Sequence, residues 1–264
     1  MPVSPRIRPY DHVLLDLDGC LWVGDDACEG AVDAVTALRE AGASVLFLTN
    51  DVRHTPEDFV RKLWRLGFQA SIAEVVTVGS AVQFLLSGRG RGSAYVVGSQ
   101  ALIDHVAEAG LRILNRTPFA TRADVVVVGA HEELTYDELR VATQAVLRGA
   151  ELIGAGRDRT FPMADGAWPA SGAVLAAIEH AAGRMADVVV GKPEPAMYEA
   201  ARDRLGPGRV LAVGDLLEVD VAGARRAGLD SALVLTGGTT REAAAAADPK
   251  PTHVADSLGA LVLG

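Results

Sequence analysis

The chain is short of cysteine, has no long apolar run and carries no excess of positive charge, and each shortage narrows what it can be. Only two cysteines occur in 264 residues, Cys20 and Cys28. They lie in one amino-terminal stretch, which is neither a disulfide framework nor a paired zinc-ligand pattern, so a reducing compartment fits. No apolar run approaches the roughly 18 residues of a membrane-spanning helix. The opening Met1-Pro2-Val3-Ser4-Pro5-Arg6 is proline-broken and lacks the apolar stretch of a secretory signal. The expected location is cytoplasmic, with no membrane partner. A formal net charge of -9 argues against a nucleic acid polymer as ligand, because such binders present a basic surface that displaces counterions from phosphates. The one basic run, Arg89-Gly90-Arg91-Gly92, sits between apolar segments and reads as a solvated turn. An anionic ligand would have to be attracted locally.

What the chain does have is 49% hydrophobic residues, enough to bury substantial cores. Short runs that are apolar throughout recur at Val13 to Leu17, Val45 to Leu48, Tyr95 to Val97, Val125 to Val128, Val188 to Val190, Val210 to Val213 and Ala232 to Leu235. Valine-rich runs without alternation suit strands covered on both faces, as in a parallel sheet. Helical patterns alternate with them, at Ala31 to Ala41, Leu102 to Ala109, Tyr136 to Leu147, Ser171 to Ala182, Pro195 to Leu205 and Val219 to Ala227. Another begins at Thr55-Pro56-Glu57-Asp58 and is stopped by Gly67. Alanine-rich 243–247 reads as part of a late helix. The alternation predicts an α/β protein with a doubly wound parallel sheet. There are more strand-helix units than one sheet comfortably orders, so part of the chain should form a second layer.

In open parallel sheets, ligands bind beyond the carboxyl ends of the strands. Four apolar runs end on polar residues: Asp16, Asp18 and Gly19; Thr49-Asn50; Gly191-Lys192-Pro193; and Gly214-Asp215, with Asp220 shortly after. If these strands are neighbours, four acids, a lysine, a hydroxyl and an amide converge. Crowded carboxylates repel unless a cation holds them, and an all-oxygen set favours Mg²⁺. Lysine would restrain the anionic nucleophile and neutralise charge growing on a transferred phosphoryl group. Residues two apart on a strand point the same way, so Asp16 could attack phosphorus while Asp18 protonates the leaving oxygen. Taken alone, Asp-x-Asp-Gly reads equally well as a turn after a strand. The polar groups at the other strand ends favour the catalytic reading.

These four segments resemble the four motifs of the haloacid dehalogenase superfamily of phosphatases, in order and spacing. More narrowly, the chain is similar to subfamily IIA, the branch of NagD, 4-nitrophenyl phosphatase and phosphoglycolate phosphatase. The narrower likeness rests on Leu21-Trp22-Val23-Gly24, Leu48-Thr49-Asn50, Asp158-Arg159-Thr160-Phe161-Pro162, Ser171-Gly172-Ala173, Gly191-Lys192-Pro193 and Val234-Leu235-Thr236-Gly237. The resemblance implies a discontinuous Rossmann-like core at 1–81 and 183–264, interrupted by an α/β cap of the C2 type at 82–182. It implies Asp16 as nucleophile and metal ligand, and Asp18 as general acid/base lending its backbone carbonyl to Mg²⁺. Asp215 would be the third ligand and Asp220 would support the metal from behind. Gly19, Thr49, Asn50 and Lys192 would bind substrate, Lys192 also acting in catalysis. The implied ligand is a small phosphorylated metabolite: a sugar phosphate, glycerol phosphate, phosphoglycolate or nucleoside monophosphate. A homodimer through the cap is an assembly open to such a chain.

The chain departs from the family pattern in several places. Asp51-Val52 replaces the usual asparagine and serine, Val219 replaces a threonine, and Gly156-Arg157-Asp158 stands where Asn-Pro-Asp is frequent. A non-catalytic metabolite-binding protein on the same fold is therefore the rival reading, and a phosphotransferase a weaker third. Trp22, Trp64 and Trp168 read as packing residues, Trp168 also as a wall of the substrate chamber. Cys20 reads as a filler, and His131 as solvent-facing because Thr135 stands where a zinc-protease helix would have its second histidine.

Overall fold

In the computed structural model, residues 2–90, 92–163 and 165–264 are described, apart from the side chain of Pro162. The basic run expected as a turn includes Arg91, which lies outside the described residues. The chain divides into two compact units, one formed by Met1–Thr49, Pro56–Val76 and Lys192–Gly264, the other by Asn50–Thr55 and Thr77–Gly191.

The chain opens with strand β1 (His12–Asp16), a short hairpin of β2 (Trp22–Val23) and β3 (Asp26–Ala27), helix α1 (Ala31–Glu40), strand β4 (Ser44–Thr49), helix α2 (Pro56–Arg65) and strand β5 (Val75–Thr77). Helix α2 shows how local sequence writes an element. Glu57 and Asp58 stand in its first turn and Lys62 and Arg65 in its last, complementing the helix dipole. Phe59 and Leu63 are buried on one face. Gly67, at φ 94°, takes the left-handed turn that stops the helix.

The second unit follows with α3 (Val78–Ser87), β6 (Ser93–Val97), α4 (Gln100–Glu108), β7 (Arg112–Ile113), β8 (Val125–Val128) and α5 (Tyr136–Leu147). It continues with β9 (Glu151–Gly154), an antiparallel hairpin of β10 (Thr160–Met163) and β11 (Gly166–Pro169), α6 (Ser171–Ala182) and β12 (Val188–Val189). The chain then returns through α7 (Pro195–Leu205), β13 (Val210–Gly214), α8 (Ala222–Arg226), β14 (Asp230–Val234), α9 (Arg241–Ala246), β15 (His253–Ala255) and α10 (Leu258–Val262).

The first unit contains a six-stranded sheet in the order β15-β14-β13-β1-β4-β5; the second contains a five-stranded sheet in the order β12-β9-β8-β6-β7. The registered pairs within both are parallel. The mixed α/β class read from the alternating pattern is thus the class of the protein. Strands read as covered on both faces are covered: all four residues of β8 and all five of β13 are buried. The first core gathers Leu15, Leu17, Leu21, Trp22, Phe47 and Leu63, among others; a separate one gathers Val126, Val128, Val146, Leu152, Leu175 and Ile178.

Several elements differ from expectation. The run ending at Val190 is not a neighbour of β1: β12 pairs with β9 in the second sheet, Val188 against Ile153. The helix expected over 219–227 is split into a π turn at Leu217–Val221 and a single short α-helix. Helix α3 had no counterpart in the sequence reading, because Val75-Val76-Thr77-Val78 runs from strand into helix without a break in hydrophobicity. Thr77 caps it through its side chain, which accepts from the Ser80 N–H. Among the described residues no helix is long and apolar enough to cross a membrane.

Candidate active site

Strands β4, β1 and β13 are adjacent and parallel, so their carboxyl ends form one edge in the first unit. Asp16, the last residue of β1, lies opposite Leu48, one residue before Thr49. Leu15 lies opposite Val213, so that Asp215 follows β13 just beyond the level of Asp16. The edge thereby receives two carboxylates and the buried Thr49 hydroxyl.

Lys192 joins them from outside the sheet. It is the first residue of the returning chain, not the tip of a core strand, and its ammonium is buried. Nζ donates to Asp16 Oδ1 at 2.5 Å and to Asp220 Oδ1 at 2.7 Å. Asp220 sits in the π turn, a distortion often found at functional sites. Its other oxygen accepts from the Leu216 N–H at 3.1 Å, and Tyr198 donates its hydroxyl to the Asp220 carbonyl at 3.1 Å. Both carboxylate oxygens of Asp220 are thus occupied by protein donors. Asp215 Oδ2 accepts from the Gly238 N–H at 2.6 Å.

One carboxylate oxygen from each of Asp16, Asp215 and Asp220 lies within 4.8 Å of the other two. Three acids face one ammonium there. Burial, reinforced by the charges of Asp220 and Asp215 and opposed by Lys192, pushes the Asp16 carboxyl well above its ordinary range. Asp215 is pushed up chiefly by burial. Burial works against the Lys192 ammonium, yet the charges of Asp16 and Asp220 outweigh it and hold the proton firmly. An all-oxygen set with surplus negative charge, raised by its own crowding, fits a hard divalent cation.

Glycines make room for this packing. Gly19 turns the chain at φ 78°, and a Cβ there would meet Asp215 Oδ2 at 2.5 Å. A Cβ on Gly237 would lie 2.0 Å from the same oxygen. Gly19 donates its N–H to the Trp22 carbonyl and accepts from the Thr236 hydroxyl, so both its backbone polar groups are engaged.

Asp18 is exposed, and its Oδ1 accepts from the indole N–H of the fully buried Trp22 at 2.7 Å. That bond went unseen in the sequence, although the four-residue spacing across a glycine turn was its only available sign. Trp64, read as packing, is 66% exposed. Cys20 is wholly buried, as a filler should be, and burial raises its thiol well above its ordinary range.

Asn50 belongs to the second unit, where its Nδ2 donates to Asp158 at 3.0 Å. The negative charge added by Asp51 is answered within the same segment: Arg53 Nη2 lies 2.7 Å and His54 Nδ1 3.0 Å from its Oδ2. The Arg53 guanidinium stands 4.0 Å from the Phe161 ring on the β10–β11 hairpin, where Trp168 makes a tilted contact with Phe161. His131 is not solvent-facing; its side chain is 15% exposed, with Nε2 at ion-pair distance, 3.0 Å, from Glu138 but without hydrogen-bond alignment.

Comparison with known proteins bears on these features. A family profile described as haloacid dehalogenase-like hydrolase matches residues 13–112, and one described as HAD-hydrolase-like matches 189–261. The sugar-phosphatase AraL of Bacillus subtilis is 35% identical over 239 residues, 89% of this chain and 85% of that protein. A D-glycerol 3-phosphate phosphatase of Mycobacterium tuberculosis is 36% identical, covering 96% of this chain and 71% of that protein. A glycerol phosphate phosphatase of the same organism, solved in complex with magnesium, superposes with a TM-score of 0.89 at 35% identity, over 96% of this chain and 77% of that one. The chain belongs to the haloacid dehalogenase-like hydrolases. Within them it is a phosphatase, a phosphoric monoester hydrolase.

Proposed function

We propose that the chain hydrolyses small phosphate monoesters in a Mg²⁺-dependent reaction that passes through an aspartyl-phosphate on Asp16. The observation that carries this reading is the buried Lys192 ammonium bonded to both Asp16 and Asp220 beside Asp215. Asp16 and Asp215 would hold the cation through carboxylate oxygens and Asp18 through its backbone carbonyl. Asp220, both of whose oxygens already accept from protein donors, would support it from the second layer. Bound Mg²⁺ would supply positive charge against the phosphoryl oxygens.

The residues divide the chemistry. The free oxygen of Asp16 attacks phosphorus, and the bond to the ester oxygen breaks as Asp18 gives that oxygen its proton. Asp18, now a carboxylate, takes a proton from water as that water attacks the phosphoryl group on Asp16. Inorganic phosphate leaves and Asp16 is restored. Lys192 fixes the orientation of Asp16 and balances charge in both steps. Thr49, Asn50 and Lys192 bind the phosphoryl group, and Gly19 borders it without a side chain. Residues 82–182 form the α/β cap domain of the enzyme in this reading. Relatives named for sugar phosphates and glycerol phosphate support a small polyol or sugar ester as substrate. The pairing of Asp51 with Arg53 and His54 offsets one of the departures behind the rival, non-catalytic reading.

The test is phosphate release from a panel of sugar, glycerol, glycolate and nucleoside phosphates with Mg²⁺. Turnover should stop with Asp16→Asn and on chelation, and return with added Mg²⁺. Undiminished turnover by Asp16→Asn overturns the reading.

A further inference from the structure

Trp22 and Asp18 face each other because the chain between them winds through a single tight turn. The Leu17 carbonyl accepts from the N–H groups of Cys20, Leu21 and Trp22 at 3.3, 2.8 and 3.4 Å, while Gly19 N–H donates to the Trp22 carbonyl at 2.7 Å. This folds the indole back over residue 18. The ring is fully buried in the first core, with the Lys62 ammonium 4.5 Å from its centre. A buried indole N–H needs an acceptor, and the one it has is a single oxygen of an exposed carboxylate. Among the described residues Oδ2 of Asp18 makes no hydrogen bond.

The two oxygens of Asp18 are therefore unequal. Oδ1 is engaged as an acceptor by a donor that cannot reverse its role, since indole offers a proton and no lone pair. Oδ2 is thereby the oxygen left open to carry and pass a proton. A carboxyl on an exposed turn would otherwise sample several rotamers. With one oxygen pinned at 2.7 Å to a ring that cannot move, both the direction of the carboxyl and the face presenting its proton are set. We propose that Trp22 is a positioning residue for leaving-group protonation: its indole N–H holds Asp18 Oδ1 so that Oδ2 delivers the proton to the departing alkoxide. This rests on the reading of Asp18 as general acid. The step balances as before: the P–O ester bond breaks, its electron pair goes to the ester oxygen, and the Oδ2 proton is transferred to that oxygen.

The consequence is selective. An alkoxide such as that of glycerol must be protonated as it leaves, whereas 4-nitrophenolate leaves as a stable anion. kcat/KM reports the steps through the first P–O cleavage, so it isolates leaving-group departure from the later attack of water. The experiment compares kcat/KM for glycerol phosphate and 4-nitrophenyl phosphate, with saturating Mg²⁺, in the wild type, in Trp22→Phe, and in a protein carrying benzothienylalanine at position 22. The last keeps nearly the size of the ring and replaces the N–H by a sulfur that cannot donate. Expected is a loss of about tenfold on glycerol phosphate and less than about twofold on 4-nitrophenyl phosphate, in line with the sensitivity of acid catalysis to small displacements. Equal losses on both esters in the benzothienylalanine protein, or no loss on either, overturn the proposal. Asp18→Asn serves as the separate control, expected to lose glycerol phosphate cleavage while still giving a burst of 4-nitrophenolate. If it cleaves glycerol phosphate normally, the general-acid reading falls and this inference with it. If it behaves as expected while the position-22 proteins do not, the inference alone is overturned.

Discussion

The ammonium of Lys192 lies 2.5 Å from the carboxylate of Asp16, across 176 residues of sequence. Neither group is stable in its place without the other. The Asp16 side chain is 13% exposed and crowded by acids, and that of Lys192 is 4% exposed, so each charge is compensated mainly inside the protein rather than by water.

Replacing Lys192 with methionine should therefore cost both function and stability. Removing one partner of a buried ion pair destabilises by about 3 to 5 kcal/mol. Phosphate release should fall at least about a hundredfold, the size of effect seen when a preorganised charge-stabilising group is removed. Chemical denaturation and steady-state kinetics read the two effects.

Chelation should lower the melting temperature, because the cation binds the folded chain. At a hundredfold excess of Mg²⁺ over its dissociation constant the stabilisation is about 2.7 kcal/mol. Asp215→Asn should erase most of the Mg²⁺-induced shift. It should also leave the metal-free protein as stable as the wild type or more so, since one of three crowded carboxylates is gone. A full Mg²⁺ shift in that variant would remove Asp215 from the ligand set.

Two glycine substitutions should part company. Gly237→Ala places a methyl 2.0 Å from Asp215 Oδ2 and should lower kcat about tenfold or more, with modest loss of stability. Gly24→Ala, at φ 63° with nothing within 4 Å, should cost about 1 to 2 kcal/mol of backbone strain and leave kcat unchanged. Thermal melts alongside kinetics distinguish crowding of the site from strain of the turn.

Acid should weaken the Asp51 cluster. Burial pushes the Asp51 carboxyl up, but hydrogen bonds from His54 and Arg53 and the guanidinium charge outweigh it and leave the carboxyl well below its ordinary range. A group lowered on folding adds stability that is complete above the unfolded value, about 3.9, and is lost as pH falls towards the folded one. Asp51→Asn should be less stable than the wild type at pH 7 by about 1 kcal/mol. The gap should narrow steadily below about pH 4, as followed by urea midpoints.

The sequence made the edge of the first sheet readable because its chemistry is local. Asp16 ends β1 with Asp18 two residues on in the turn that follows, and Asp215 follows a valine-rich run directly. Lys192 joins the site although the condition set for it, that its preceding strand neighbour β1, is not met: β12 belongs to the other sheet. Apolar runs tell that a strand is buried, not which sheet buries it. The π turn that aims Asp220 back at Lys192 escaped notice because helical periodicity continues through it. The indole bond to Asp18 was hidden by the tight turn, since four residues along an extended chain would never meet. The neutralisation of Asp51 was present in the letters, with Arg53 and His54 two and three residues on, but only loop geometry turns that proximity into contact.

Gly19 and Gly237 leave Asp215 a space bounded by backbone on two sides. That space acts as a ruler. Aspartate and glutamate carry the same charge and the same ligating oxygens, yet the second needs room for one more methylene, and the chain has given that room to hydrogen atoms. Selection at position 215 is thus by reach rather than by charge, and it is imposed from positions 19 and 237, each of them far away in sequence or chemically silent.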